Sequence, residues 1–318
     1  MTVPIKPVSA RTRPVKSAKT LRSALGSYLF LIPALVLLTL FTLYPVLYGS
    51  YLGFTEYTAA NFATNAPPKW VGLDNFRTLA GDELFRTGLL NSLKYLLVVP
   101  VLQLASLAVA VLVNRQLPFI AFFRAAYYVP VITSITLAAV MWDWIYNKDG
   151  TLNWLLKGLH LMDPKSNQSW LLNPSTAFWA IMFVTFWRGF GYYMVLYMAG
   201  LQTIPEELEE AARLDGASPW HVFWYVTVPL MQPTILLCTL LSTLSAIRVL
   251  EEVLVFTNGT GGPLNSTFTA LLYVYKKSFG GLDFNYGLAS AAGLVVAAIA
   301  LVLSVLNFRY FRDGSSRA

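Results

Sequence analysis

The chain has 318 residues, 56% hydrophobic and only 12% charged, with a mean hydropathy of +0.56 and a net charge of +7. A composition this apolar excludes a soluble globular domain and points to a bilayer. One cysteine, Cys238, excludes a disulfide framework or a cysteine metal site, and the two histidines, His160 and His221, stand far apart without clustered ligands, so no metal centre is expected.

Residues 1–26 carry Lys6, Arg11, Arg13, Lys16, Lys19 and Arg22 and no acidic side chain. The uncharged run from Ser23 to Thr55 is far longer than a signal-peptide core of roughly 7–15 residues. The tail has neither a folded basic face nor stacking aromatics, so no nucleic-acid partner is expected. It reads as a cytoplasmic segment that orients the first apolar span.

A helix needs about 20 mostly apolar residues to cross the hydrocarbon core. Six segments qualify, at 27–53, 90–114, 124–146, 176–201, 230–257 and 285–309. The expected fold is therefore an all-α polytopic membrane protein, with a transmembrane domain over 27–310 and a short cytoplasmic C-terminus at 311–318. An even span count puts both termini on one side. Lys and Arg total 12 in the tail and the loops on that side, against eight in the three opposite loops, which makes it the cytoplasmic side.

Between the fourth and fifth spans lies a polar island, Glu207-Leu208-Glu209-Glu210-Ala211-Ala212-Arg213-Leu214-Asp215-Gly216-Ala217-Ser218-Pro219, followed by Val226-Thr227-Val228-Pro229. Pro205 and the acids behind it suit a helix start, and Gly216 permits a sharp reversal. Pro219 is placed to open the next helix. The result is a helix-turn-helix projecting from the membrane. Its acidic residues offer partners to Arg or Lys of another protein, and small residues at 211 and 212 allow close seating in a groove.

Glu210, Ala211, Ala212 and Gly216, with Pro229 at its fixed distance, resemble the coupling loop of bacterial ABC importer permeases. Val226 and Val228 replace that pattern's Ile and Leu. Trp70-Val71-Gly72-Leu73-Asp74-Asn75-Phe76, Asn147-Lys148-Asp149-Gly150-Thr151-Leu152-Asn153 and Thr257-Asn258-Gly259-Thr260-Gly261-Gly262-Pro263 are similar to loops of the sugar-type subfamily, the last with a small insertion. The resemblance implies one half of a pore for a sugar or oligosaccharide in a bacterial or archaeal cytoplasmic membrane, in contact with membrane lipid. It further implies a second, homologous permease subunit, a cytoplasmic ATPase dimer that uses ATP and Mg, and an extracytoplasmic substrate-binding protein. Coupling would fall to Glu207, Glu210, Ala211, Ala212, Asp215 and Gly216. No phosphate-loop, nucleophile-elbow or zinc-protease motif occurs, so no catalytic residue and no cofactor is expected in this chain. Glycerophosphate import and a secondary carrier not driven by ATP are the alternatives; the latter has no use for the coupling spacing.

Charged side chains at membrane depth by default face a bundle interior or a water-filled cavity. Arg188 falls in the fourth span, and Arg248, Glu251 and Glu252 in the fifth. Helical spacing puts Ser245, Arg248 and Glu252 on one stripe, with Glu251 also within reach of Arg248 at i+3. One expectation is a purely structural Arg248–Glu252 pair, with Arg188 answering Glu251. The other is a substrate cavity formed by Arg188, Tyr192, Ser245, Arg248, Glu251 and Glu252, with Tyr192 and Tyr193 available to stack on a ring. The resemblance favours the second, because in maltose-type permeases polar residues of the helix before the Thr-Gly-Gly-Pro turn contact sugar. Lys94 and Asp143, near span ends, are expected to snorkel to the interface, and Trp142, Trp144 and Tyr146 to join an aromatic belt.

Overall fold

Helices dominate because a chain in lipid must satisfy its backbone amides internally. The computed structural model describes residues 30–114, 119–280 and 284–315, with side chains as far as Tyr310. The expected tail at 1–26 lies outside the described residues. The chain divides into two units, one ending at Tyr51 and the other beginning at Leu52. The described part of the first is a single apolar helix, α1 (Phe30–Leu52, its last residue belonging to the second unit), interrupted by a π-helical turn at Thr39–Leu43.

The second unit opens with a two-stranded antiparallel ribbon, β1 (Thr55–Glu56) and β2 (Lys69–Trp70), and a short helix, α2 (Asp74–Gly81). Its long helices are α3 (Glu83–Val113), α7 (Pro174–Leu201), α9 (Gln232–Ile247) and α12 (Tyr286–Ser315). Between α3 and α7 run α4 (Ile120–Ile132), α5 (Ile135–Tyr146) and α6 (Thr151–Gly158). A short helix, α8 (Glu206–Leu214), precedes α9, and α10 (Glu251–Phe256) and α11 (Ala270–Phe279) follow it. Helix α7 packs on α3 and α4, α9 on α12 and α3, α10 on α5, and α11 on α3 and α12. Tyr95, Phe178, Ile247, Val253, Phe268 and Tyr273 form the larger core, while Leu102, Met194, Tyr197, Met231 and Cys238 form a second one.

Four helical stretches among the described residues are long and apolar enough to cross a membrane: α1, α3, Gln232–Phe256 (α9 taken together with α10) and Tyr286–Tyr310 of α12; α4 with its successor makes a fifth if the bent pair counts as one span. The remaining expected span, α7, has 28 residues and is less apolar than these, because Arg, Gly, Thr, Trp and Tyr interrupt it.

Two expected spans depart from continuous helices. The third bends by 100° between Ile132 and Ile135. Pro130 lies within α4, and Ser134, in extended conformation, caps α5 by accepting the Leu137 N–H at 3.2 Å. The fifth breaks at Arg248–Leu250, where α9 ends and α10 begins. There the Val249 carbonyl, released from helical bonding, accepts the Thr269 hydroxyl at 3.1 Å. This break removes the premise of the Ser245, Arg248, Glu252 stripe.

Candidate functional site

Helix α7 carries Arg188 to the start of α10, where its Nη1 meets Glu252 Oε1 at 3.0 Å. The expected Arg248–Glu252 pair does not form. Because Arg248 sits at the C-cap of α9 with φ −102°, it turns away, is exposed, and donates from Nε to the Leu244 carbonyl at 3.3 Å. Arg188 therefore answers Glu252, not Glu251.

The pair stands at the junction of two cavities of about 310 and 500 Å³ that share Arg188, Ser245 and Glu252. Tyr192 lines the first, and Arg248 and Glu251 the second, so all six residues singled out from the sequence line one or the other. The two tyrosines separate: Tyr192 is 41% exposed, whereas Tyr193 is buried and meets it edge to face. Arg188 Nε is buried and has no hydrogen-bond partner among the described residues. An unsatisfied donor of a buried guanidinium is costly, so the site has unused capacity for a polar ligand.

Beneath the cavity, Gln103 of α3 donates to Ser242 Oγ at 2.8 Å and to the Cys238 carbonyl at 3.3 Å, and accepts the Tyr197 hydroxyl. This buried knot ties α3, α7 and α9 together. Gln103 was not among the residues singled out from the sequence; its signal was an amide in the middle of an apolar run, between Leu102 and Leu104.

The second site is α8 and the turn after it. Gly216, at φ +86°, donates to the Arg213 carbonyl, and Ala217 donates to the Ala212 carbonyl, both at 3.0 Å. This is a Schellman stop, which needs a left-handed residue where glycine stands. Ser218 caps the next helical stretch by accepting the His221 N–H. Glu209 accepts the Thr227 hydroxyl and the Arg213 guanidinium, both at 3.2 Å, fastening α8 to that stretch. Glu207, Glu210, Ala211, Asp215 and Gly216 are exposed, and Ala212 is half-buried. Leu214 and Trp220, 89% and 67% exposed, add an apolar tip to an acidic helix. A cavity of about 580 Å³ behind α8 brings Glu206, Glu209 and Glu210 to the same space as Arg124 of α4.

Residues 84–312 match the family described as the binding-protein-dependent transport system inner membrane component. The chain is 34% identical over 285 residues to a probable ABC transporter permease protein of Pyrococcus horikoshii, covering 89% of this chain and 94% of that one. It is 33% identical to the lactose transport system permease protein of Rhizobium radiobacter, covering 93% and 99%. A trehalose/maltose transport system permease protein of Thermococcus litoralis is 28% identical, covering 92% and 95%. In fold the chain is similar to a chain of a bacterial alginate ABC transporter solved with an alginate pentasaccharide-bound periplasmic protein, with a TM-score of 0.75, 21% identity and coverage of 95% and 99%.

Proposed function

This chain belongs to the family of binding-protein-dependent transport system inner membrane components, the permease subunits of ABC importers, and from that premise we propose that it forms half of a pore for a neutral sugar or oligosaccharide. The observation that carries the substrate class is the Arg188–Glu252 pair, set beside Ser245 and Tyr192 in a cavity within the helix bundle. A guanidinium with a free buried N–H, a carboxylate and a hydroxyl supply donors and acceptors together, as a polyol requires. The names of relatives agree, several being permeases for lactose, trehalose/maltose or arabinooligosaccharides.

ATP hydrolysis belongs to a separate subunit. In this reading six spans, counting α7 and the bent pair as one each, hold both termini in the cytoplasm, and α8 projects there to dock on the ATPase. The exposed acids, the small residues and the apolar tip at Leu214 and Trp220 make its contact surface. Closure of the ATPase dimer would draw α8 of this chain and its counterpart in a second permease together. Fastened through Glu209 and Thr227, α8 would then transmit that movement to α9, whose far end carries Ser245.

Uptake of labelled lactose, maltotriose and glycerol 3-phosphate by cells with and without this gene tests the substrate class. Gene-dependent uptake of a saccharide is expected. Uptake of the phosphate alone would overturn the sugar reading and turn attention to the two guanidinium groups of Arg188 and Arg248. Cysteine labels at Ser9 and Ser316 are expected to react only from the cytoplasm, and labels at Asn65 and Asn167 only from outside; the reverse would overturn the orientation.

A further inference from the structure

Past Glu252, toward the end of the bundle that the proposed topology places outside, lies another cavity, of about 480 Å³. Asp143 and Asn147 at the end of α5 line it together with Asn258 and Thr260 of the turn after α10, and Leu171, Leu172 and Phe256 supply apolar wall. Asp143 was expected to snorkel to the interface. It is exposed and lines this space, and its carboxylate makes no hydrogen bond or ion pair with any described residue.

Its neighbours are also undercommitted. Asn147 uses its carbonyl oxygen to accept the Asp149 N–H, which leaves its amide N–H groups free to donate into the cavity. Thr260 is the more committed: it donates to the Thr257 carbonyl at 2.7 Å and accepts the Gly262 N–H at 3.3 Å, which leaves one oxygen lone pair. The turn that presents Asn258 and Thr260 is held in place: Thr257 donates to the Val253 carbonyl and accepts the Gly261 N–H, and Gly261, at φ +88°, leaves no room for a β-carbon against the Phe268 ring. Such polar groups, held before a ligand arrives, lose little freedom on binding.

We propose that this cavity is an outer subsite for one ring of a neutral saccharide, next to the ring held at Arg188 and Glu252; the proposal rests on the sugar reading above. A carboxylate acceptor, amide donors and a threonine hydroxyl match adjacent ring hydroxyls, and the Phe256 face suits the apolar C–H side of a ring. Phe256 lies four residues after Glu252 on the same face of α10, about 6 Å along the axis, which is the scale of one sugar unit. The unpaired Asp143 carboxylate would repel an acidic sugar, so the subsite selects neutral rings.

The test uses membrane vesicles that carry the complete transporter with Asn258→Cys or, separately, Ser245→Cys, labelled with an impermeant maleimide with and without lactose or maltotriose; the native Cys238 is buried. A several-fold slowing of labelling at both positions by a saccharide is expected, together with loss of protection at 258 but not at 245 when Asp143→Ala is added. Protection at 245 alone would overturn the outer subsite and leave the sugar reading standing. Protection at neither position would remove both. Protection at 258 by the binding protein without sugar would make this surface a protein contact and overturn the subsite. Retained protection at 258 in the Asp143→Ala background would do the same.

Discussion

Arg188 and Glu252 are 64 residues apart in the chain and meet at 3.0 Å, joining α7 to the short helix beyond the break in the fifth span. Their side chains are 23% and 14% exposed, so the pair is largely withdrawn from water. Removing one partner from such a pair leaves an uncompensated charge and is destabilising by about 3 kcal/mol, whereas neutralising both is often nearly neutral. Glu252→Gln alone is therefore expected to lower the melting temperature of the purified complex, and Arg188→Met with Glu252→Gln to restore it. If the pair also contacts substrate, the double variant assembles and keeps ATPase stimulation by the binding protein, but loses saccharide uptake or changes its preference. Unchanged uptake and preference would reduce the pair to a structural tie.

The coupling turn is tested at Gly216 and Glu210. A β-carbon at Gly216 would meet nothing within 4 Å, so the cost of Gly216→Val is purely that of φ +86°, about 1–2 kcal/mol for a residue with a β-carbon. The helix end should fray while membrane insertion is unaffected. Glu210→Lys exchanges an exposed acid for a base and should weaken co-purification of the ATPase without altering the fold. Both variants are expected to lose ATP-driven uptake, and normal uptake by both would remove α8 from the coupling role.

The reversal at Gly216 was legible in the sequence because a Schellman stop is written within six consecutive residues. The break at Arg248–Leu250 was not. No glycine or proline marks it, the apolar run continues through Val249 and Leu250, and what stabilises it is the Thr269 hydroxyl, 20 residues away. That one unmarked break moves the partner of Glu252 from the expected Arg248 to Arg188. The bend at Thr133 had local signals in Pro130 and Ser134, but hydropathy alone runs straight across them. The six residues singled out from the sequence line cavities despite the wrong stripe, because a charge within a span implies a polar surrounding wherever its partner lies.

Close contact between α7 and α4 depends on Gly191. A β-carbon there would lie 2.0 Å from the Tyr127 carbonyl oxygen and 3.2 Å from the Val131 side chain, so the helices would have to separate. Two positions earlier, a β-carbon at Gly189 would lie 3.3 Å from a Leu102 methyl, which can rotate away. Gly191→Ala should therefore be destabilising by about 1–3 kcal/mol, the usual range for overpacking, while Gly189→Ala stays close to the parent. Melting temperatures in detergent would distinguish them, and equal effects would show that α4 does not seat on Gly191 as described.

Outside the membrane spans, Asp82 caps α3 by accepting the Leu84 and Phe85 N–H groups at 2.9 and 3.0 Å, and accepts the Tyr273 hydroxyl at 2.6 Å. Partial burial works to raise the Asp82 pKa, but the Tyr273 hydroxyl, the two backbone N–H groups and nearby Lys277 together hold it below the usual carboxylate value. Burial, with the adjacent carboxylate, pushes Tyr273 above the usual phenol value. A depressed acid stabilises the fold fully above its unfolded pKa, about 3.9 for Asp, and that contribution disappears as pH falls through the folded value. The raised tyrosine contributes fully below about pH 10 and loses its contribution as pH rises beyond that. Melting temperature should thus be flat through neutrality and fall at both extremes. Asp82→Asn is expected to weaken the acid-side fall, because no carboxylate remains to be protonated there, and Tyr273→Phe the alkaline one. Asp82→Ala, which also loses the cap, should be less stable at pH 7 by about 1 kcal/mol. An acid-side fall of undiminished size in Asp82→Asn would show that other carboxylates set the acid limit.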